Sequence, residues 1–284
     1  MTVFAVMPVF NRLAMTRAML ECLRCQVVDE ALVPVVVDDG STDGTQEYLA
    51  LQRDVTVLQG DGQLWWGGGV QLALQHVLGV AAHGDWVLLV NNDTHIRADF
   101  LQLLLHAARR HSPAVVGSVI RGEHPPHEVI SIGAVVDAWN LTICDMLDLG
   151  RQGPGAQEPM DIDALSGRGV LYPVAALRAV GGMRPARLPH YMADYDLSVR
   201  VRHAGWRLMV HPGAAVYAAA EQGNAYRASS VRERYFSVRS PSYLPALVGF
   251  WWAASNWIQR LTLPARVLVF ALFPQLRRRA KSRQ

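Results

Sequence analysis

Four short stretches of this sequence carry side chains fit for chemistry. The first is Asn91-Asn92-Asp93, directly after the apolar run Trp86-Val87-Leu88-Leu89-Val90. Five apolar residues in a row read as a strand buried on both faces. A buried parallel strand that stops in two amides and a carboxylate puts them at the carboxyl edge of a sheet, where open α/β sheets bind ligands. A carboxylate there can hold a divalent cation and, through it, a diphosphate. A turn that caps the next helix would use the same residues. The second stretch, Asp38-Asp39-Gly40-Ser41-Thr42-Asp43, follows another apolar run. Asp38 or Asp39 can accept hydrogen bonds from a base or ribose, while Ser41 or Asp43 suits a helix N-cap. The third, Trp65-Trp66-Gly67-Gly68-Gly69, reads as a loop: indole faces suit sugar rings and bases, and glycines allow close backbone approach. One Trp is expected in the core and the other at the site. The fourth is His190-Tyr191-Met192-Ala193-Asp194-Tyr195-Asp196. Asp194 and Asp196 fall where a helix should begin, which favours carboxylates. Two acids, a His and a Tyr together exceed what a cap requires.

The elements that must position these residues follow from periodicity. Residues 3–9 and 33–37 read as buried strands joined by a helix that runs to about residue 26. Such a βαβ unit is right-handed, so both strands end at one edge. A third strand is expected at 55–58, a helix with one apolar face at 70–82, the strand at 86–94 and a helix near 99–110. Signals weaken from 115 to 155, with strands at 115–117 and 130–136. Residues 164–173 read as a turn entering a strand, followed by a helix. The stretch from Asp194 to Gly205 reads as a short helix with Leu197, Val201 and Ala204 on its buried stripe, Arg200 and Arg202 in the last turn and Gly205 at C′. Residues 206–217 close the sheet.

Composition limits the function classes. With 284 residues, 51% of them hydrophobic, the chain can bury a large core. The net charge of +3 is too small to argue for nucleic acid. Three cysteines give no disulfide framework and fit a reducing compartment. Cys22 and Cys25 form a lone CxxC, with Cys22 on the apolar stripe of a helix. Met1 runs straight into a strand without a basic leader, so no secretory signal is expected. The sequon Asn140-Leu141-Thr142 is set aside on the same ground. There is no GxGxxG after the first strand, where the sequence reads PVFNRL, and no GxxxxGK[ST].

After Glu221 the character changes. Residues 243–258 carry Trp251, Trp252 and Trp257, and 261–276 is apolar apart from Arg266 and two prolines. Neither run reaches the ~18–20 clean residues of a membrane span. A basic end, with Arg277, Arg278, Arg279, Lys281 and Arg283, suggests helices lying on an anionic membrane surface. A helical pair packed on the sheet or on a second subunit, as in a homodimer, is the other expectation.

Taken in order, PVFNR, VVVDDGSTDGT, GDGQLWWGGGVQLAL, WVLLVNNDT and LPHYMADYDLSVRVRHAGWRL resemble the family-2 glycosyltransferases of the GT-A fold. The likeness spans residues 3–217 and points to a subgroup that includes bacterial rhamnosyl- and hexosyltransferases of cell-surface polysaccharides. The resemblance implies an α/β, Rossmann-like, mostly parallel central sheet flanked by helices. The catalytic domain would span 1–220, with a nucleotide-sugar half to about 112 and an acceptor half from 113. A helical extension would follow over 221–284. It implies that Pro8, Phe10 and Arg12 line the nucleotide pocket with Asp38 or Asp39, and that Asp93 binds Mg²⁺ or Mn²⁺. Asp194 matches the family's catalytic base. Trp65, Trp66, Gly67, Asn92, Arg168, His190, Tyr191 and Asp196 would line the sugar and acceptor side.

The expected activity is inverting transfer from a nucleoside-diphosphate sugar to a lipid-linked or growing surface glycan, in the cytoplasm or on the inner face of the cell membrane. A sugar nucleotidyltransferase and a non-catalytic scaffold of the same fold are the alternatives. The sequence departs from the family pattern at Asn91, where an acid often stands, at Ala193 beside the base, and at Val216-Tyr217-Ala218, where many members carry a His.

Overall fold

A computed structural model describes residues 1–150, 158–219 and 226–272. In chain order the elements are β1 (Thr2–Val9), α1 (Leu13–Arg24), β2 (Ala31–Asp38), α2 (Thr45–Ala50), β3 (Thr56–Gln59), α3 (Trp65–Val80), β4 (Trp86–Leu89), β5 (Thr94–Ile96), α4 (Phe100–Arg110), β6 (Ala114–Gly122), β7 (Val129–Ser131), β8 (Ala134–Asp137), β9 (Thr142–Asp145), β10 (Met160–Asp161), β11 (Val170–Pro173), α5 (Val174–Val180), α6 (Ala193–His203), β12 (Arg207–Ala218), α7 (Val231–Phe236), α8 (Leu244–Ala254) and α9 (Trp257–Leu272). The main sheet has the order β10-β12-β6-β11-β4-β1-β2-β3, with β5 on β12 and β7 on β6. β8 and β9 form a separate hairpin.

Six strands run the same way: β1, β2, β3 and β4 are mutually parallel, and β6 and β12 are parallel to each other. β11 lies antiparallel between β4 and β6. Two reversals restore the direction, so the carboxyl ends of β1, β2, β4 and β6 share one edge. The residues that enter β11 arrive at that same edge. The α/β, mostly parallel architecture is therefore the one expected, with one reversal in its middle that hydrophobic patterning does not encode.

Alternation along the buried strands builds a core on each face. Val3, Ala5, Met7 and Val9 point toward α1 and α4, against Leu20, Leu23, Phe100 and Leu104. Phe4 and Val6 point the other way, against Val70, Leu74 and Val77 of α3 and onward to α5 and α6. Each fully buried Leu or Phe contributes about 1.5–3 kcal/mol of transfer free energy.

Two expected boundaries move, and two expected burials do not hold. The strand expected to run to residue 94 ends at Leu89, and Val90 still donates its N–H to the Val6 carbonyl at 3.1 Å. Thr94 opens β5, which pairs antiparallel with β12. The helix expected from residue 70 starts at Trp65, so Trp-Trp-Gly-Gly-Gly is its first turn and not a loop. The glycines are there for closeness: a Cβ on Gly69 would come 2.8 Å from Pro8 Cβ, and one on Gly67 would come 2.7 Å from the Leu188 carbonyl oxygen. Neither Trp is in the core, contrary to expectation; Trp65 and Trp66 are both half-buried. Ala204, expected on the buried stripe of α6, is exposed.

At the carboxyl end α8 packs on α6. Its Ala246, Phe250 and Trp251 are buried in the same core as Ala193 and Leu197. The second apolar run becomes α9, with Pro264 inside it. Its expected continuation to residue 276 and the basic residues Arg277 to Arg283 lie outside the described residues. Among the described residues no helix is long and apolar enough to cross a membrane.

Candidate active site

The loops after β1 and β2 are stitched together at the carboxyl edge. Asn11 donates its backbone N–H to Ser41 Oγ at 2.7 Å, and Thr42 N–H returns to Asn11 Oδ1 at 2.8 Å. Asp43 accepts from the Leu13 N–H at 2.9 Å, so it caps α1 from across the gap. Asn11 and Arg12 take left-handed φ of 57° and 65°. Trp65 and Met192 do the same, so four of the six non-glycine residues with positive φ among those described lie around this edge. Such backbone persists only where the surroundings over-determine it, and it clusters at functional sites.

The two acids after β2 have separate tasks. Asp39 accepts from Gly62 N–H at 2.8 Å, Leu64 N–H at 3.0 Å and Trp65 N–H at 3.3 Å. It therefore caps α3 and holds the tryptophan turn. Asp38 is fully buried and accepts from Ser41 N–H at 3.0 Å through Oδ1. Its Oδ2 has no hydrogen-bond partner among the described residues. Pro8 is half-buried against α3, and Phe10 is 56% exposed at the mouth of the edge.

The turn after β4 separates its three polar residues. Asp93 Oδ2 accepts from Arg12 Nη1 at 3.2 Å. Asn91 Oδ1 accepts from the indole N–H of Trp66 at 2.9 Å. Asn92 turns inward, donating from Nδ2 to Thr16 Oγ1 at 3.1 Å. This removes Asn92 from the sugar side and makes it a buried tie between β4 and α1. Among the described residues no group of three His, Cys, Asp or Glu converges to form a metal cage. One carboxylate at the sheet edge fits the mode of Mg²⁺, which binds through one or two carboxylates and completes its shell with substrate phosphates and water.

Asp194 sits in the first turn of α6. Its Oδ2 accepts from Gly167 N–H and its Oδ1 from Tyr195 N–H, each at 2.9 Å. Burial raises its pKa above the ordinary carboxylate value; the two backbone hydrogen bonds and the nearby charge of Arg168 act in the opposite sense. A Cβ on Gly167 would come 2.4 Å from Trp66 Cη2 and Cζ2, so the indole packs directly on this glycine beside the carboxylate. Trp66 thus joins Asn91, in the turn after β4, to the loop that carries Asp194's partner. Gly167 reaches this place because β11 runs backwards, with its entrance at the shared edge.

The loop before α6 completes the wall. Gly67 donates its N–H to the Pro189 carbonyl at 2.8 Å. The His190 ring stands 4.6 Å from Tyr191 and 5.9 Å from Trp65. Burial lowers the His190 pKa, keeping the ring neutral near pH 7, and its Nδ1 has no hydrogen-bond partner among the described residues. Asp196, expected on the acceptor side, is 1% exposed and ion-paired with Arg184 and with Arg200 Nε at 2.8 Å. Arg200 also donates to the carbonyls of Val180 and Gly182. Asp196 is therefore a structural clamp between α6 and the segment after α5.

Among the expected residues, Arg12, Asp93, Trp66, Arg168 and Asp194 come together along the edge, with Trp65, Gly67, His190 and Tyr191 beside them. Gly167 is not among the residues expected at the site, and neither is the pairing of Asn91 with Trp66. Gly167 lay in a recognised turn, whereas the Asn91–Trp66 pair spans 25 residues and leaves no local trace.

Residues 4–132 match the model of glycosyl transferase family 2. No curated protein matches the chain in sequence. Solved glycosyltransferases share the fold at low identity. GalNAc-T7 with UDP, GalNAc and Mn²⁺ superposes with a TM-score of 0.63 at 12% identity, over 89% of this chain and 47% of that one. The chain thus spans about half the length of that protein. S. aureus TarS in complex with UDP-GlcNAc gives 0.58 at 20% identity, over 96% and 76%. The mannosyltransferase PcManGT from Pyrobaculum calidifontis, in complex with GDP-Man and Mn²⁺, gives 0.55 at 17%, over 95% and 75%.

The clamp reading of Asp196 is testable. Asp196→Ala should lower unfolding free energy by about 3 kcal/mol or more, because it strands two partly buried guanidinium groups. Urea unfolding checks this. A loss of turnover with unchanged stability would return Asp196 to the acceptor side.

Proposed function

We propose that this chain, whose residues 4–132 match glycosyl transferase family 2 and whose fold is shared with solved glycosyltransferases, is such an enzyme and moves a sugar from a nucleoside-diphosphate sugar to an acceptor hydroxyl with inversion. The observation that carries the proposal is the setting of Asp194. A carboxylate with a pKa raised by burial, held by two backbone N–H groups and flanked by an indole, suits a general base. Asp194 takes the acceptor proton as that oxygen attacks the anomeric carbon. The nucleoside diphosphate leaves from the opposite face of the sugar.

On the donor side Asp38 or Asp39 would accept from the base or ribose, and Phe10 and Pro8 offer apolar surface. Mg²⁺ or Mn²⁺ held by Asp93 together with the donor's diphosphate would supply charge neutralisation for the leaving group. Arg12 would then exchange its partner, from Asp93 to a phosphate oxygen. Trp65, Trp66, His190 and Tyr191 offer faces to the sugar and acceptor, and the neutral His190 imidazole can donate or accept a hydrogen bond. The sugar is a hexose or a 6-deoxyhexose such as rhamnose. The acceptor is a lipid-linked or growing cell-surface glycan, met on the inner face of the cell membrane.

The donor is identified by thermal shift against a panel of UDP-, GDP- and dTDP-sugars with and without Mn²⁺. One donor should raise the melting temperature by mass action, more with Mn²⁺ than without. Asp93→Ala should abolish the Mn²⁺ increment. No shift with any donor would move the reading to a non-catalytic scaffold.

Asp194→Asn should lower turnover by on the order of 10² or more while leaving the donor-induced shift in place. Turnover that survives the change would exclude Asp194 as the base. Pyrophosphate release from a nucleoside triphosphate would instead identify a nucleotidyltransferase.

A further inference from the structure

The outer face of α9 is apolar where it meets solvent. Trp257, Leu261 and Leu268 are 71%, 75% and 60% exposed, and Ile258 and Val269 lie beside them. These positions recur at three- and four-residue steps and share one stripe. The opposite side is already used: Gln259 and Leu263 are buried, and Leu263 belongs to the core that holds α6 and α8. α9 is therefore apolar on both sides, and among the described residues only one side has protein against it. On α8, the exposed Val248 and Trp252 add to the apolar surface.

Cations accompany this surface. The Arg260 guanidinium lies over the Trp252 ring at 5.5 Å and donates from Nε to the Trp252 carbonyl. Arg266 lies over the half-exposed Trp139 at 5.3 Å. After Glu233 the sequence holds nine Arg or Lys residues and no Asp or Glu. An apolar, tryptophan-bearing stripe in an acid-free basic segment complements a surface that is anionic on top and apolar beneath, the headgroup layer of an anionic bilayer. A second copy of the chain would set these cations against their own kind.

The same helices carry part of the candidate site. α8 packs on α6, which bears Asp194. A Cβ on Gly249 would sit 3.5 Å from Leu188 Cδ1, so α8 backs the loop that presents His190 and Tyr191. We propose that the outer face of α8 and α9 docks the protein on an anionic membrane surface, with the acceptor-side loop carried on the docked pair. The second clause rests on the transfer reading; the docking itself does not.

The test is co-sedimentation of the full chain with vesicles of phosphatidylcholine alone and of equal parts phosphatidylcholine and phosphatidylglycerol. The intact chain should sediment with the mixed vesicles and stay in solution with phosphatidylcholine. The triple variant Trp257→Ser, Leu261→Ser, Leu268→Ser should partition at least about tenfold less while keeping its donor-induced thermal shift. If that variant fails to fold, release of the intact chain from mixed vesicles by raised salt carries the test, and salt-insensitive binding contradicts docking on anionic lipid. An intact chain that ignores mixed vesicles, or a folded variant that binds them equally, overturns the proposal. So does a dimer that the variant dissociates without any vesicle binding, which assigns the face to a second copy. A docked chain with no donor shift would contradict the transfer reading alone.

Discussion

The contact among Gly167, Trp66 and Asp194 is the point on which the site depends. Gly167 donates its N–H to the carboxylate and offers bare Cα surface to the indole, and only a residue without a Cβ can do both. Trp66 in turn spends its N–H on Asn91, in the turn that leads to Asp93. One glycine thereby ties the end of β4, the first turn of α3, the entrance of β11 and the start of α6. Each of these elements is fixed by a large buried core, so the junction inherits its rigidity from packing on both faces of the sheet.

The division of labour among the acids follows from how each is desolvated. Asp39 and Asp43 are spent on backbone N–H groups and hold loops in place. Asp196 is spent on two guanidinium groups. Asp93 and Asp194 stand at opposite ends of the Asn91–Trp66–Gly167 link. Asp93 is ion-paired with Arg12 at the edge, while burial pushes Asp194 toward protonation. Two carboxylates with such different surroundings are suited to different tasks, one meeting positive charge and the other accepting a proton.

Much of this was legible from residue order. Continuous apolar runs ending in acids marked β1, β2 and β4 and the edge they share, because a strand buried on both faces must be apolar throughout. Two acids at a helix start marked Asp194. What escaped was set by partners far along the chain. The reversal of β11 leaves no trace in a four-residue run that reads the same in either direction. Asp39 and Asp196 look alike as site acids in sequence; the structural work each does depends on distant partners, the N–H groups of residues 62, 64 and 65 for Asp39 and Arg184 for Asp196. Arg200, four residues after Asp196 on α6, was the one local hint. Asn92 has the same form: its amide faces Thr16, 76 residues away. The glycines after Trp66 suggested a loop because intrinsic propensity disfavours them in helices, yet close packing on Pro8 and Leu188 overrides that preference.

The central claim is that Asp194 is the base, and the pH dependence of kcat/KM tests it most directly. A base must be deprotonated in the free enzyme, and burial raises the Asp194 pKa. The rate should therefore climb with pH along a limb that lies above the ordinary carboxylate range and vanishes in Asp194→Asn. A limb that persists unchanged in that variant, or a rate already level from the ordinary carboxylate range upward, would contradict the account.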